Sequence, residues 1–114
     1  VVDDDASLRR SVVRLLNAYG LPAIEYGSAE AFLGRDPTIP IDCLVLDIDL
    51  GGMSGIELQQ KLKEAGSKLP VIFITALEDP RLKIRAEQAG CFAYLRKPFA
   101  GSALVDAVKK VIGS

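Results

Sequence analysis

Val71-Ile72-Phe73-Ile74 is β-branched or aromatic at every position, and the hydroxyl of Thr75 follows it. Cys43-Leu44-Val45-Leu46 repeats the pattern and runs into Asp47. A strand with one wet face alternates apolar and polar residues. Continuous apolarity over four residues suits strands covered on both faces, as in a parallel sheet. Three weaker segments join these two: the stub Val1-Val2, Ala23-Ile24-Glu25-Tyr26 and Phe92-Ala93-Tyr94-Leu95.

Helical patterns fill the gaps. Leu8, Val12, Leu15, Leu16 and Tyr19 fall on one face of a helix following Asp5. Ser28 precedes a short helix with Ala31 and Phe32, and Ser54-Gly55-Ile56-Glu57 is a capping-box sequence opening another. Asp79-Pro80 places an N-cap before a proline at the first helical position, where no amide donor is needed. Leu104, Val105, Val108, Val111 and Ile112 mark the last helix. Gly20, Gly66 and Gly90 each close a helical pattern shortly before a strand. The alternation predicts an α/β fold with five parallel strands and five helices. In such folds the ligand crevice lies outside the carboxyl ends of the strands, where the strand order reverses.

The 114 residues fit a single domain over 1–114, and the start at Val1-Val2 without Met reads as a trimmed N-terminus. A net charge of -1 argues against direct nucleic-acid binding and against an anionic membrane surface. No apolar run approaches the ~20 residues that span a bilayer. Cys43 and Cys91 sit in apolar contexts and read as buried free thiols of a reducing, cytoplasmic compartment. The chain has no histidine, which excludes imidazole acid–base chemistry and histidine-built zinc sites.

The strand ends carry the chemistry. Asp3, Asp4 and Asp5 follow the first segment, Asp47 the third, Thr75 the fourth, and Lys97-Pro98 the fifth. Taken singly, these are helix caps, turn residues and solvated charges. Together they bring acids, a hydroxyl and an ammonium to one sheet edge. Closely packed carboxylates repel, and one takes up a proton unless a cation intervenes. Oxygen-only ligands favour Mg²⁺ over zinc.

These motifs in this order resemble the receiver domain of bacterial response regulators over essentially the whole chain: Val2-Asp3-Asp4, Leu46-Asp47, Met53-Ser54-Gly55, Ile74-Thr75-Ala76 and Lys97-Pro98-Phe99. The resemblance implies a flavodoxin-like, doubly wound five-stranded parallel sheet of order 2-1-3-4-5. It implies that Asp47 accepts a phosphoryl group from the phosphohistidine of a sensor histidine kinase. Mg²⁺ would be held by Asp4, Asp47 and the backbone carbonyl of Asp49, with Asp3 acting through a water. Thr75 and Lys97 would bind the phosphoryl group, and Tyr94 would change rotamer with Thr75. The Lys97-Pro98 bond is expected to be cis. The face of the fourth helix, fifth strand and fifth helix, roughly 79–112, would be the switch surface and a homodimer interface. Ala29-Glu30-Ala31-Phe32-Leu33 and Lys97-Pro98-Phe99 resemble the branch whose output, outside this chain, is often a helix-turn-helix DNA-binding domain. The chain departs from the family where a Met-Pro pair usually follows the phosphoacceptor: here stand Leu50 and Gly51, then Gly52, which predicts a looser loop.

Two rival readings stand beside this one. Leu46-Asp47-Ile48-Asp49 also resembles the first motif of haloacid dehalogenase-type phosphatases, although that motif normally opens a longer chain with a cap domain. A pseudo-receiver would keep the fold as a binding module and lose phosphorylation.

Overall fold

The computed structural model describes residues 1–113; Ser114, the last residue of the expected 1–114 domain, lies outside the described residues. Helices α1 (Ala6–Ala18), α2 (Ala29–Leu33), α3 (Gly55–Glu64), α4 (Pro80–Gln88) and α5 (Gly101–Val111) alternate with strands β1 (Leu44–Asp47), β2 (Val71–Thr75) and β3 (Ala93–Arg96). β1 pairs in parallel with β2, Asp47 opposite Ile74, and β2 pairs in parallel with β3, Thr75 opposite Arg96.

The α/β class holds, but the expectation of five full strands is corrected. Only three form among the described residues, in the order β1-β2-β3. The two remaining segments shrink to isolated parallel bridges, Val2 to Leu46 and Val2 to Tyr26. The bridges preserve the expected 2-1-3-4-5 arrangement, with Tyr26 outermost and Val2 between it and β1. The physical reason lies in the sequence. Only Val1 and Val2 precede the acidic run, and that run must turn into α1. The Ala23–Tyr26 segment lies at the sheet edge, and Ile24 there is 45% exposed. Its pairing rests on a few main-chain bonds, Tyr26 N–H to Val1 C=O at 2.8 Å and Asp3 N–H to Tyr26 C=O at 3.2 Å.

Both faces of the sheet are covered, which accounts for the unbroken apolar runs. Leu44, Leu46, Val71 and Phe73 face Phe32, Ile56, Leu58 and Ala86 from α2, α3 and α4. Val45, Ile72 and Ile74 face Val12 and Leu16 of α1 and Leu104 and Val108 of α5. Each such side chain contributes about 1.5–3 kcal/mol when fully buried. On α1, Val12 and Leu16 are buried while Tyr19 caps the C-terminus in solvent, so the predicted apolar face is narrower than its sequence pattern.

The predicted caps form. Asp5, Ser28, Ser54 and Asp79 each accept a first-turn amide. The helix ends close alike: Gly66 at φ +84° donates to Lys63 C=O while Ser67 N–H reaches Leu62 C=O. That pair of bonds is a Schellman motif, and Gly20 and Gly90 build the same one. Nothing lies within 4 Å of a Cβ placed on Gly66, so only the backbone opposes a side chain there. Gly66→Ala is therefore expected to lower unfolding free energy by about 1–2 kcal/mol with an unchanged denaturant slope, measured by urea unfolding.

Candidate functional site

The sheet edge brings together the groups that the strand ends carry. Asp3 follows the Val2 bridge, Asp47 closes β1, Thr75 closes β2 and Lys97 follows β3. Asp47 is fixed from both sides by its strand neighbours: its N–H donates to Val2 C=O at 2.9 Å, and the next amide, Ile48, donates to Ile74 C=O at 3.0 Å. One carboxylate oxygen each from Asp3, Asp4 and Asp47 lies within 4.8 Å of the others. Asp3 and Asp47 are buried, and Asp4 is exposed at the rim.

Lys97 answers this charge directly. Its Nζ donates to Asp3 Oδ2 at 3.0 Å and stands 3.4 Å from Asp47 Oδ2. The other carboxylate oxygens are held by amides, Asp5 N–H on Asp3 Oδ1 at 2.9 Å and Asp49 N–H on Asp47 Oδ1 at 3.2 Å. Thr75 is fully buried, and its Oγ1 accepts from Leu77 N–H at 3.0 Å. Lys97 N–H donates to Thr75 C=O at 2.7 Å, so the hydroxyl and the ammonium are tied through the backbone. The Lys97-Pro98 bond is cis, as expected.

Burial pushes the Asp47 carboxyl up from 3.8 to about 7, and the negative charge of Asp3 adds to the push. Lys97 and the Asp49 amide oppose it without prevailing. Burial works against the Lys97 ammonium, but the hydrogen bond to Asp3 and the charges of Asp47 and Asp3 outweigh it and raise its pKa. One ammonium thus faces three carboxyls. The residual negative charge, the oxygen-only donors and the short spacing fit a hard divalent cation.

Two glycines shape the approach. A Cβ on Gly55 would collide with the Asp47 carbonyl oxygen, so α3 can start this close to the site only with glycine. Gly51 adopts φ +67°, and Gly52 N–H turns back to Leu50 C=O. Proline, fixed near φ -65°, has no access to this turn.

The remaining expected site residues sit outside the acid cluster. Tyr94 lies on β3, partly buried against the apolar cluster on the α2–α4 side. The Asp49 side chain is exposed, and it is its amide that touches Asp47. Arg9 was not legible from the sequence. It sits in α1 as one of several basic residues, yet its guanidinium Nη1 donates to Asp3 C=O at 2.8 Å. The only signal was a cation one helical turn after an acidic run.

The family model of the response regulator receiver domain matches residues 1–109. The transcriptional regulatory protein TdiR of Thauera aromatica is 41% identical over 112 residues, covering 98% of this chain and 49% of the relative. Nodulation protein W of Bradyrhizobium diazoefficiens is 40% identical over 108 residues, covering 95% of this chain and 48% of the relative. The chain therefore spans about half the length of these curated relatives. Among solved structures, FixJ-N superposes with a TM-score of 0.89 at 32% identity, covering 97% of this chain and 89% of that one. A response regulator receiver protein from Burkholderia phymatum superposes at 0.85 with 43% identity, covering 98% and 91%.

The raised Asp47 carboxyl has a pH consequence. Between 3.8 and about 7 the folded chain holds a proton that the unfolded chain has released. This group's stabilisation is therefore present at low pH and is lost as pH climbs through that window. Asp47→Asn mimics the protonated form. In EDTA it is expected to melt at a higher temperature than wild type at pH 8, with the gain shrinking as pH falls below about 7 and vanishing only below about 3.8. Scanning calorimetry across that range checks it, and a pH-independent gain contradicts it.

Proposed function

The chain belongs to the response regulator receiver family of two-component signalling, and on that footing we propose that Asp47 is its phosphoacceptor. The observation that carries the reading is Asp47 itself: a buried carboxylate at a strand end, beside Asp3 and Asp4 and 3.4 Å from the Lys97 ammonium. A carboxylate oxygen of Asp47 would attack phosphorus as the bond to a histidine nitrogen breaks. That histidine belongs to a sensor histidine kinase, because this chain has none.

Phosphoryl transfer needs positioning and charge neutralisation more than covalent help. Asp4 and Asp47, with the backbone carbonyl of Asp49, would hold Mg²⁺, and Asp3 would support it through a water. Bound there, the ion offsets negative charge on the carboxylates and on the incoming phosphoryl oxygens. Lys97 already touches Asp47 and would keep that oxygen's neighbourhood cationic while pairing with the phosphoryl group. Thr75 accepts a bond from Leu77 N–H, which leaves its own O–H proton to donate to a phosphoryl oxygen.

The new charge then acts as a switch. Thr75 moving toward the phosphoryl group, with Tyr94 following, would reshape the face formed by α4, β3 and α5. We infer that this face, roughly 79–112, contacts an output domain or a second copy as a homodimer. The relative TdiR is named a transcriptional regulatory protein, as is FixJ of Azorhizobium caulinodans, which supports a DNA-binding output outside this chain. The domain itself, 1–114, is proposed to bind no nucleic acid and to work in the cytoplasm. No helix is long and apolar enough to cross a membrane among the described residues.

The match over residues 1–109 favours this reading over the phosphatase and pseudo-receiver alternatives. Intact-mass measurement after acetyl phosphate and Mg²⁺ tests it. One phosphoryl adduct is expected on wild type, none on Asp47→Asn, and none on wild type in EDTA. An adduct that survives Asp47→Asn sinks the assignment, and steady turnover of a generic phosphomonoester favours the phosphatase.

A further inference from the structure

The outer part of the sheet is thin where the site most needs support. Beyond Tyr26, no strand residue continues the ladder, so the carbonyl of Asp3 has no strand partner at the point where Asp3 and Asp4 must be held. Arg9 takes that place. Its guanidinium Nη1 donates to Asp3 C=O at 2.8 Å, and its Nε donates to Glu25 Oε1 at 2.9 Å. The Arg9 side chain is only 16% exposed, and Gly27 lies against its Nη1. One planar fork thereby ties the turn of α1, the end of the first strand segment and the edge segment carrying Glu25. A guanidinium suits this task because its donors are fixed relative to one another, whereas an ammonium is a single point.

We propose that Arg9 is a positioning residue for the metal site, acting through the backbone of Asp3 and touching neither the metal nor the phosphoryl group. The proposal rests on the reading of Asp4 and Asp47 as Mg²⁺ ligands. Arg9 holds the Asp3-Asp4 turn so that both carboxylates face Asp47, and Glu25 keeps the fork aligned. Partners that orient ligands in this way are typically worth about 10–100-fold in metal affinity.

The sign of the effect separates positioning from simple charge. Arg9 is a cation close to an acidic cluster. By electrostatics alone its removal leaves the cluster more negative and tightens Mg²⁺ binding. Positioning predicts the opposite. Titration calorimetry with MgCl₂ alone, on wild type, Arg9→Gln and Arg9→Lys, reads the difference without any phosphorylation step. About tenfold weaker Mg²⁺ binding is expected for Arg9→Gln. Arg9→Lys keeps the charge and loses the fork, and it should also bind more weakly than wild type, by a smaller factor. Thermal melts run alongside identify any variant that fails to fold, and Arg9→Lys carries the test if Arg9→Gln does. Equal or tighter binding in a folded variant overturns the proposal, as does a wild type that binds no Mg²⁺. A wild type that binds Mg²⁺ yet takes no phosphoryl group would sink the phosphoacceptor reading and leave the role of Arg9 standing.

Discussion

The burial of the Asp47 carboxyl beside the charge of Asp3 is the constraint around which this fold is arranged. Two unit charges 4.8 Å apart repel by about 3–4 kcal/mol at an effective dielectric near 20. The lift of the Asp47 carboxyl from 3.8 to about 7 amounts to about 4 kcal/mol for holding it ionised above that pH. Burial is the larger cause of that lift, and the charge of Asp3 comes second. A domain of this length has on the order of 5–15 kcal/mol of net stability, so the penalty is a large fraction of what the core supplies. Lys97 reduces it and does not cancel it, and the unspent negative charge is what makes the edge receptive to a divalent cation.

Such a cluster persists only if the backbone beneath it cannot relax. The covered sheet provides that rigidity. β1 and β2 are buried at every residue, and Asp47 is bonded through its own amide to Val2 and through the next to Ile74. Gly55 lets α3 begin directly against the Asp47 carbonyl, closing the space into which the strand end would otherwise shift. Where the sheet thins, at Val2 and Tyr26, side-chain bonds from Arg9 and Lys97 take over from the ladder. Rigidity therefore comes from two sources, main-chain pairing at the centre and charged side chains at the margin.

Much of this was legible in the sequence, and the limits were physical. The apolar runs at 43–46 and 71–74 gave the central strands, 44–47 and 71–75, within a residue, because burial on both faces leaves no other composition. Ser54, Asp79 and Gly66 marked their helix ends because caps depend on local geometry alone. Asp3, Asp4, Asp47 and Lys97 converged because parallel topology sends all strand ends to one edge. The extent of the outer strands was not legible, since edge pairing depends on how much of each segment its neighbour reaches. Arg9 was hidden for a related reason. Its target is a backbone carbonyl, which leaves no pattern in the side chains. No sign in the sequence showed that Gly51 makes a turn with positive φ that no proline could make.

The hydroxyl at the end of β2 shows why the arrangement is suited to switching. Thr75 is fully buried, so its Oγ1 needs a partner, and the amide of Leu77 supplies one by donating to it. That bond uses an acceptor position and leaves the single O–H donor uncommitted by it. An anionic phosphoryl group on Asp47 would accept from that donor, and a charge-assisted bond is about twice as strong as a neutral one. Meeting it requires Thr75 to turn toward Asp47, across the β1–β2 pair that places Ile74 beside Asp47. The loop that begins with Leu77 is hydrogen-bonded to that same oxygen, so a turn of the hydroxyl would be carried into the entry of α4. Under the proposed phosphorylation, a charge on Asp47 would be linked to the entry of α4 through Thr75 Oγ1, which accepts from Leu77 N–H.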